Sequence, residues 1–262
     1  EDPALQADGV IFGSIEETAV YYLNALKKQQ PSGPYRLGGW SYGGLIAFEM
    51  ACQLEQQGEK VALLALLDSS APSLVRQVYG TTVDRRTLLA VMARELMGND
   101  ALPIKEIYTA LAGLSFEAQL EATLELITQG SAFTEFNAQA VRRMLQIFIN
   151  RVQLVQAYRP QQSLNVPLQL NAPLHLLRTQ NLELEQMADL EIVAHDAASL
   201  AQLTADPEAG WGIHVKTAVH VHEVPGTHAT MILEPHVAQV AYTLKQVLQH
   251  PHSESTLHVK TH

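Results

Sequence analysis

Gly39-Trp40-Ser41-Tyr42-Gly43 sets one hydroxyl between two glycines at G-x-S-x-G spacing. A serine hydroxyl is a weak nucleophile near neutral pH. It becomes reactive when an imidazole within hydrogen-bond reach takes its proton and a carboxylate orients that imidazole. The spacing suits this chemistry on a sharp strand-to-helix turn. There the hydroxyl projects clear of the sheet, and small residues two before and two after it keep side chains from colliding. Such a turn also aims a helix N-terminus at the hydroxyl, which makes the backbone N–H of Tyr42 the candidate oxyanion donor. Chain order on this arrangement is serine, acid, histidine.

Eleven histidines compete for the role of base. His228 falls in the turn Pro225-Gly226-Thr227-His228, directly after the last strand-like run, where a loop can hold an imidazole above a sheet. His220 and His222 lie within that run on one side of it, so packing or surface roles suit them better. His175 falls in a core strand, and His236 opens the last helix. His250, His252, His258 and His262 lie in the polar tail. For the acid, Asp68 ends the apolar run Val61–Leu67, which places a carboxylate at the edge of the sheet where sites form in open α/β folds. A loop-capping role for Asp68 stays open. The alternative location, near Arg178-Thr179-Gln180-Asn181, holds no Asp, and Glu183 and Glu185 come a few residues late.

Other residues carry weaker chemistry. Trp40 is a candidate for lining a substrate entrance, with core packing as the alternative. Cys52 sits among apolar residues on the helix after the turn and reads as a buried core thiol. Trp211, between Gly210 and Gly212, reads as a loop anchor. No Cys/His cluster has metal-site spacing, and no Gly-Lys-Ser/Thr follows the glycines near Ser41, so neither a metal nor a nucleotide is expected.

The elements that position these groups follow from pattern. Ser14-Ile15-Glu16-Glu17 reads as a capping box, and Ile15, Ala19, Tyr22, Leu23 and Leu26 then recur at helical spacing. Pro31-Ser32-Gly33-Pro34 breaks the chain before the short strand Tyr35–Gly38. The helix after the serine carries Leu45, Phe48, Met50, Ala51 and Leu54 and stops at Gly58. Val61–Leu67 is a continuous apolar run, as in a central parallel strand. Strand, helix, strand makes a βαβ unit. Residues 72–160 carry helical patterns only, over Thr87–Met97, Ile104–Leu114, Phe116–Ile127 and Ala138–Tyr158, which predicts a helical lid insertion. Pro173–Leu177 and Ala218–Val224 read as strands, Thr179–Gly210 as loop and short helix, and a last helix starts near Pro235.

Bulk properties exclude several classes. A chain of 262 residues with 47% hydrophobic residues can bury one large α/β core. The formal net charge of -10, with basic pairs such as Lys27-Lys28, Arg85-Arg86 and Arg142-Arg143 scattered, argues against nucleic acid. No apolar run reaches the roughly 18 residues of a membrane span. The start, Glu1-Asp2-Pro3-Ala4, has no signal-like pattern, and the single cysteine excludes an internal disulfide. Both features predict a cytoplasmic location. Oligomeric state is not legible.

Gly33-Pro34-Tyr35-Arg36-Leu37-Gly38-Gly39-Trp40-Ser41-Tyr42-Gly43-Gly44, then Ala47–Ala51, Gly58 and Leu63–Asp68, resembles the thioesterase domain that ends nonribosomal peptide synthetases and some polyketide synthases. Gly210-Trp211-Gly212 and Val224–His228 resemble that family's C-terminal part. The resemblance implies an α/β-hydrolase fold with a mostly parallel sheet, residues 1–262 forming one domain and 72–160 its lid. It implies that Ser41 accepts an acyl or peptidyl chain from the phosphopantetheine of a carrier protein, with His228 as base and Asp68 as its orienting acid. Hydrolysis or ring closure would follow, without a further cofactor. It also implies that the first strands, and a loop supplying a second oxyanion donor, are missing ahead of Ala4. An editing thioesterase, a small-acyl esterase and an inactive binding module are the alternatives.

Overall fold

Apolar runs that alternate with an amphipathic helix need a sheet covered by helices, and the chain folds that way. The computed structural model describes residues 12–79, 84–97, 102–129, 138–160, 162–163, 166–167, 169–179, 205–228 and 230–251. The readings of the first eleven residues, of 180–204 and of the end of the tail lie outside these.

The chain divides into two compact units. One holds the sheet. Helix α1 (Ile15–Gln29) begins on the expected capping box: the Glu17 N–H donates to Ser14 Oγ at 3.1 Å, and Glu17 Oε2 accepts from the Gly13 N–H at 2.9 Å. Strand β1 (Tyr35–Trp40), helix α2 (Tyr42–Gln56) and strand β2 (Val61–Leu67) follow. Strand β1 runs two residues beyond the predicted Gly38, because Gly39 and Trp40 still pair with Leu66 and Leu67. Helix α2 packs on both strands and on α1, and its buried residues include Leu45, Phe48, Met50, Ala51 and Leu54. Gly58 follows its end at φ +79, where a side chain would be strained.

Helix α3 (Pro72–Tyr79) was not read from the sequence. Helices α4 (Arg85–Met97), α5 (Ile104–Ala110), α6 (Phe116–Gln129) and α7 (Ala138–Ala157) correspond to the four predicted ones. Helix α5 stops short of Leu114, since its end turns through Gly113 at φ +72. The second unit takes Arg76–Gln156 of this stretch, and helices α4 to α7 have a core of their own, with Leu89, Ala93, Ile107, Leu111, Leu120 and Leu145 buried together.

A two-residue hairpin, β3 (Gln162–Ser163) with β4 (Val166–Pro167), precedes β5 (Leu174–Thr179). A short 3-10 turn at Trp211–His214, strand β6 (Val219–Val224) and helix α8 (Val237–Gln249) complete the chain. The main sheet is parallel throughout the described residues, in the order β1-β2-β5-β6. Register aligns the strand ends: Trp40 pairs with Leu67, Leu67 with Leu177, and Thr179 with Val224. The ladder continues past the strands, with Ser41 N–H donating to Leu67 O at 2.9 Å and Asp68 N–H to Leu177 O at 2.7 Å. Ser41 and Asp68 therefore leave one edge side by side.

Where the chain returns to the sheet unit, Tyr158 donates to the buried carboxylate of Glu49 at 2.5 Å, and Gln53 Nε2 donates to it at 2.8 Å. Burial raises the Glu49 pKa, and these two hydrogen bonds only partly offset that.

Candidate active site

Ser41 sits at φ 54, ψ −124, a conformation that costs a non-glycine residue about 1–3 kcal/mol and persists only where the surroundings impose it. The surroundings do so here. Its N–H is tied to β2, and its carbonyl accepts from the Gly44 N–H at 3.0 Å. A Cβ on Gly39 would fall inside the Gly43 carbonyl, and one on Gly44 would stand 2.6 Å from both Cβ and Oγ of Ser69. A Cβ on Gly43 would meet nothing within 4 Å. The expectation that both flanking glycines relieve crowding is thus corrected: Gly39 and Gly44 do so, and Gly43 does not. Tyr42 is the first residue of α2, so its N–H belongs to the helix N-terminus next to the Ser41 hydroxyl.

His228 comes from the loop between β6 and α8. Its Nε2 lies 2.9 Å from Ser41 Oγ, and its Nδ1 lies 2.8 Å from Asp68 Oδ2. The loop is braced within itself. The Thr227 N–H donates to Thr230 Oγ1 at 2.9 Å, the two hydroxyls lie 3.1 Å apart, and the Met231 N–H donates to Thr227 O at 3.0 Å. Side-chain exposure is 42% for His228 and 11% for Asp68, so the carboxylate is screened while the imidazole stays open to a reactant.

Asp68 Oδ1 accepts from the backbone N–H of Thr179 at 3.1 Å and from its hydroxyl at 3.2 Å. Burial alone would raise the Asp68 pKa. The hydrogen bond from His228, the two from Thr179 and the positive charge His228 can carry outweigh it and hold the carboxyl below its usual range. A carboxylate with a depressed folded pKa contributes stability above the unfolded pKa of about 3.9, and loses it as pH falls through the folded value. Asp68→Asn should therefore melt below the wild type at pH 6. The gap should narrow as pH drops below about 4, in thermal unfolding followed by circular dichroism.

Thr179 is not among the candidates read from sequence, where that strand end counts only as the alternative location for the acid. A hydroxyl one strand over from Asp68 was the available signal. The structure sets aside the core-packing reading of Trp40. It is 37% exposed, so it is no core residue, and its indole stacks on His228 at 5.1 Å between centroids, 27° between planes.

Three of the other described histidines lie against one another. His175 Nδ1 and His222 Nε2 lie 2.9 Å apart, and His175 stacks on His220 at 4.7 Å. His236 stands at the start of α8, as expected. Trp211 is fully buried and donates Nε1–H to Ser69 O at 2.6 Å, so it anchors the segment following Asp68. Burial pushes the Cys52 thiol well up, which keeps it protonated and unreactive.

Residues 6–248 match the family model of the thioesterase domain. The chain belongs to the thioesterase domain family. This thioesterase domain is 31% identical over 147 residues to a dimodular nonribosomal peptide synthase of Bacillus subtilis (strain 168), covering 56% of the chain and 6% of that protein. It is 48% identical over 71 residues to a non-reducing polyketide synthase of Aspergillus ustus, covering 27% of the chain and 3% of that protein. The chain therefore spans a small part of the length of these curated relatives. Among solved structures, a four-domain nonribosomal peptide synthetase bound to AMP and glycine superposes with a TM-score of 0.68 at 24% identity, over 94% of the chain and 17% of the other. The Vlm2 thioesterase domain bound with a dodecadepsipeptide gives a TM-score of 0.62 at 21% identity, over 94% and 79%. These likenesses establish the α/β-hydrolase fold. Among the described residues no helix is long and apolar enough to cross a membrane.

Proposed function

We propose that Ser41, His228 and Asp68 act as a catalytic triad that unloads an acyl or peptidyl chain from the phosphopantetheine thiol of a carrier protein. The observation that carries this reading is the unbroken series of hydrogen bonds, Ser41 Oγ to His228 Nε2 at 2.9 Å and His228 Nδ1 to Asp68 Oδ2 at 2.8 Å. In the resting state the Nδ1–H donates to Asp68, which leaves Nε2 to accept the serine proton. Ser41 Oγ attacks the thioester carbonyl while Nε2 takes its proton. The Tyr42 N–H, at the helix N-terminus, stabilises the oxyanion. The C–S bond then breaks, and Nε2 returns the proton to the departing sulfur. An ester on Ser41 and a free pantetheine thiol result. A water molecule, or an amine or hydroxyl of the bound chain itself, next attacks the ester with His228 again as base, releasing an acid or a ring. The helical stretch 72–160, with its separate core, is the proposed lid insertion.

The test compares a pantetheine thioester with an ethyl thioester of the same acyl group, so that sulfur leaves in both. A carrier-unloading enzyme should favour the pantetheine thioester by about tenfold or more in kcat/KM, since remote binding energy raises transition-state stabilisation. Equal values for both would rule out recognition of the carrier arm.

A further inference from the structure

A half-exposed imidazole on a loop, held by one hydrogen bond at Nδ1, can still tilt and swing about that bond. Aiming Nε2 at Ser41 needs a second constraint. Trp40 makes two contacts with His228. Its indole lies along the imidazole face, with centroids 5.1 Å apart and planes 27° from parallel. Its Nε1–H donates to the backbone carbonyl of His228 at 3.1 Å, across 188 positions of chain. Among the described residues, the hydrogen bond and the ring contact of the Trp40 indole both go to His228. With 37% of its surface exposed, Trp40 is not explained by burial in the core.

We propose that Trp40 is a positioning residue for His228, fixing the plane of the imidazole and the main chain beneath it where Asp68 fixes only Nδ1. The inference rests on the reading of Ser41, His228 and Asp68 given above. Strand register explains how one indole can do this. Trp40 pairs with Leu67, so Trp40-Ser41 and Leu67-Asp68 end neighbouring strands together. The indole and the carboxylate reach the same imidazole from adjacent strand ends. Because Trp40 is bonded directly to Ser41, a shift of the nucleophile's turn carries the support of its base with it. Nucleophile and base stay matched, although they lie 187 positions apart.

Trp40→Ala removes the stack and the hydrogen bond, whereas Trp40→Phe keeps an aromatic face and loses the N–H. Four quantities separate positioning from other roles: the rate of covalent labelling by a small alkyl fluorophosphonate, kcat and KM for a short-acyl pantetheine thioester, and the low-field proton resonance of His228 Nδ1–H. Trp40→Ala is expected to slow labelling and kcat about tenfold, as loss of a stack plus one hydrogen bond implies, with KM unchanged and the resonance broadened. Trp40→Phe should recover part of both rate and resonance. Wild-type labelling and resonance with a raised KM would overturn the inference and make Trp40 a substrate-lining residue. Activity lost by both variants only in proportion to the folded fraction lost, measured by thermal unfolding, would overturn it too. Ser41→Ala is the separate control. Labelling that persists there defeats the triad reading itself, whatever Trp40 does.

Discussion

Ser41→Ala should abolish covalent labelling by a fluorophosphonate and lower thioester turnover by about 10⁴-fold or more, with an unchanged far-ultraviolet circular dichroism spectrum. No other hydroxyl is bonded to His228 among the described residues, so none can inherit the role. His228→Ala should cost nearly as much, because the hydroxyl then keeps its proton at neutral pH. The informative variant combines the two. Residues that work as one unit are strongly non-additive, so Ser41→Ala/His228→Ala should be no slower than either single change. Additive losses in single-turnover assays would mean that the two side chains act in separate steps, contrary to the series of hydrogen bonds.

Gly39→Ala should damage the protein far more than Gly43→Ala, although both glycines belong to the same five-residue pattern. The added methyl at Gly39 would overlap the backbone of Gly43 and Gly44, and backbone at a helix start cannot rotate away as a side chain can. Overpacking of this kind costs about 1–3 kcal/mol and occasionally more, and relieving it would move Ser41 relative to His228. Activity should therefore fall even where the variant stays folded. At Gly43 the methyl meets open space inside a helix, where alanine is the preferred residue. Urea unfolding and labelling rate measured together check this. Equal damage from the two substitutions would show that Gly43 serves a purpose other than space.

Much of the fold could be read from the chain because the informative signals are local. The run Val61–Leu67 has no polar residue to offer water, which assigns it to the sheet interior. The capping box at Ser14 uses side chains three residues apart, within reach of pattern. Helix α3 also carries a local signal, Pro72 at its first position. Features of the candidate site divide the same way. Ser41, Asp68 and His228 were each named from their places after strands, and the structure joins the three. Thr179 and the contact of Trp40 with His228 depend on which strands lie side by side, a lateral relation that no spacing along the chain encodes. The crowding at Gly44 is hidden from sequence for the same reason, since it comes from Ser69 on the next strand's exit.

The neighbouring ends of β1, β2 and β5 and the loop after β6 carry a consequence for the chain during synthesis. Ser41 emerges from the ribosome early, its partner imidazole late, and the Thr179 that steadies the carboxylate in between. On the proposed triad, the hydroxyl stays as unreactive as any surface serine until the last of these docks. On that proposal, a chain lacking His228 would carry no acyl-cleaving activity from Ser41, and reactivity itself would report that the three groups have come together.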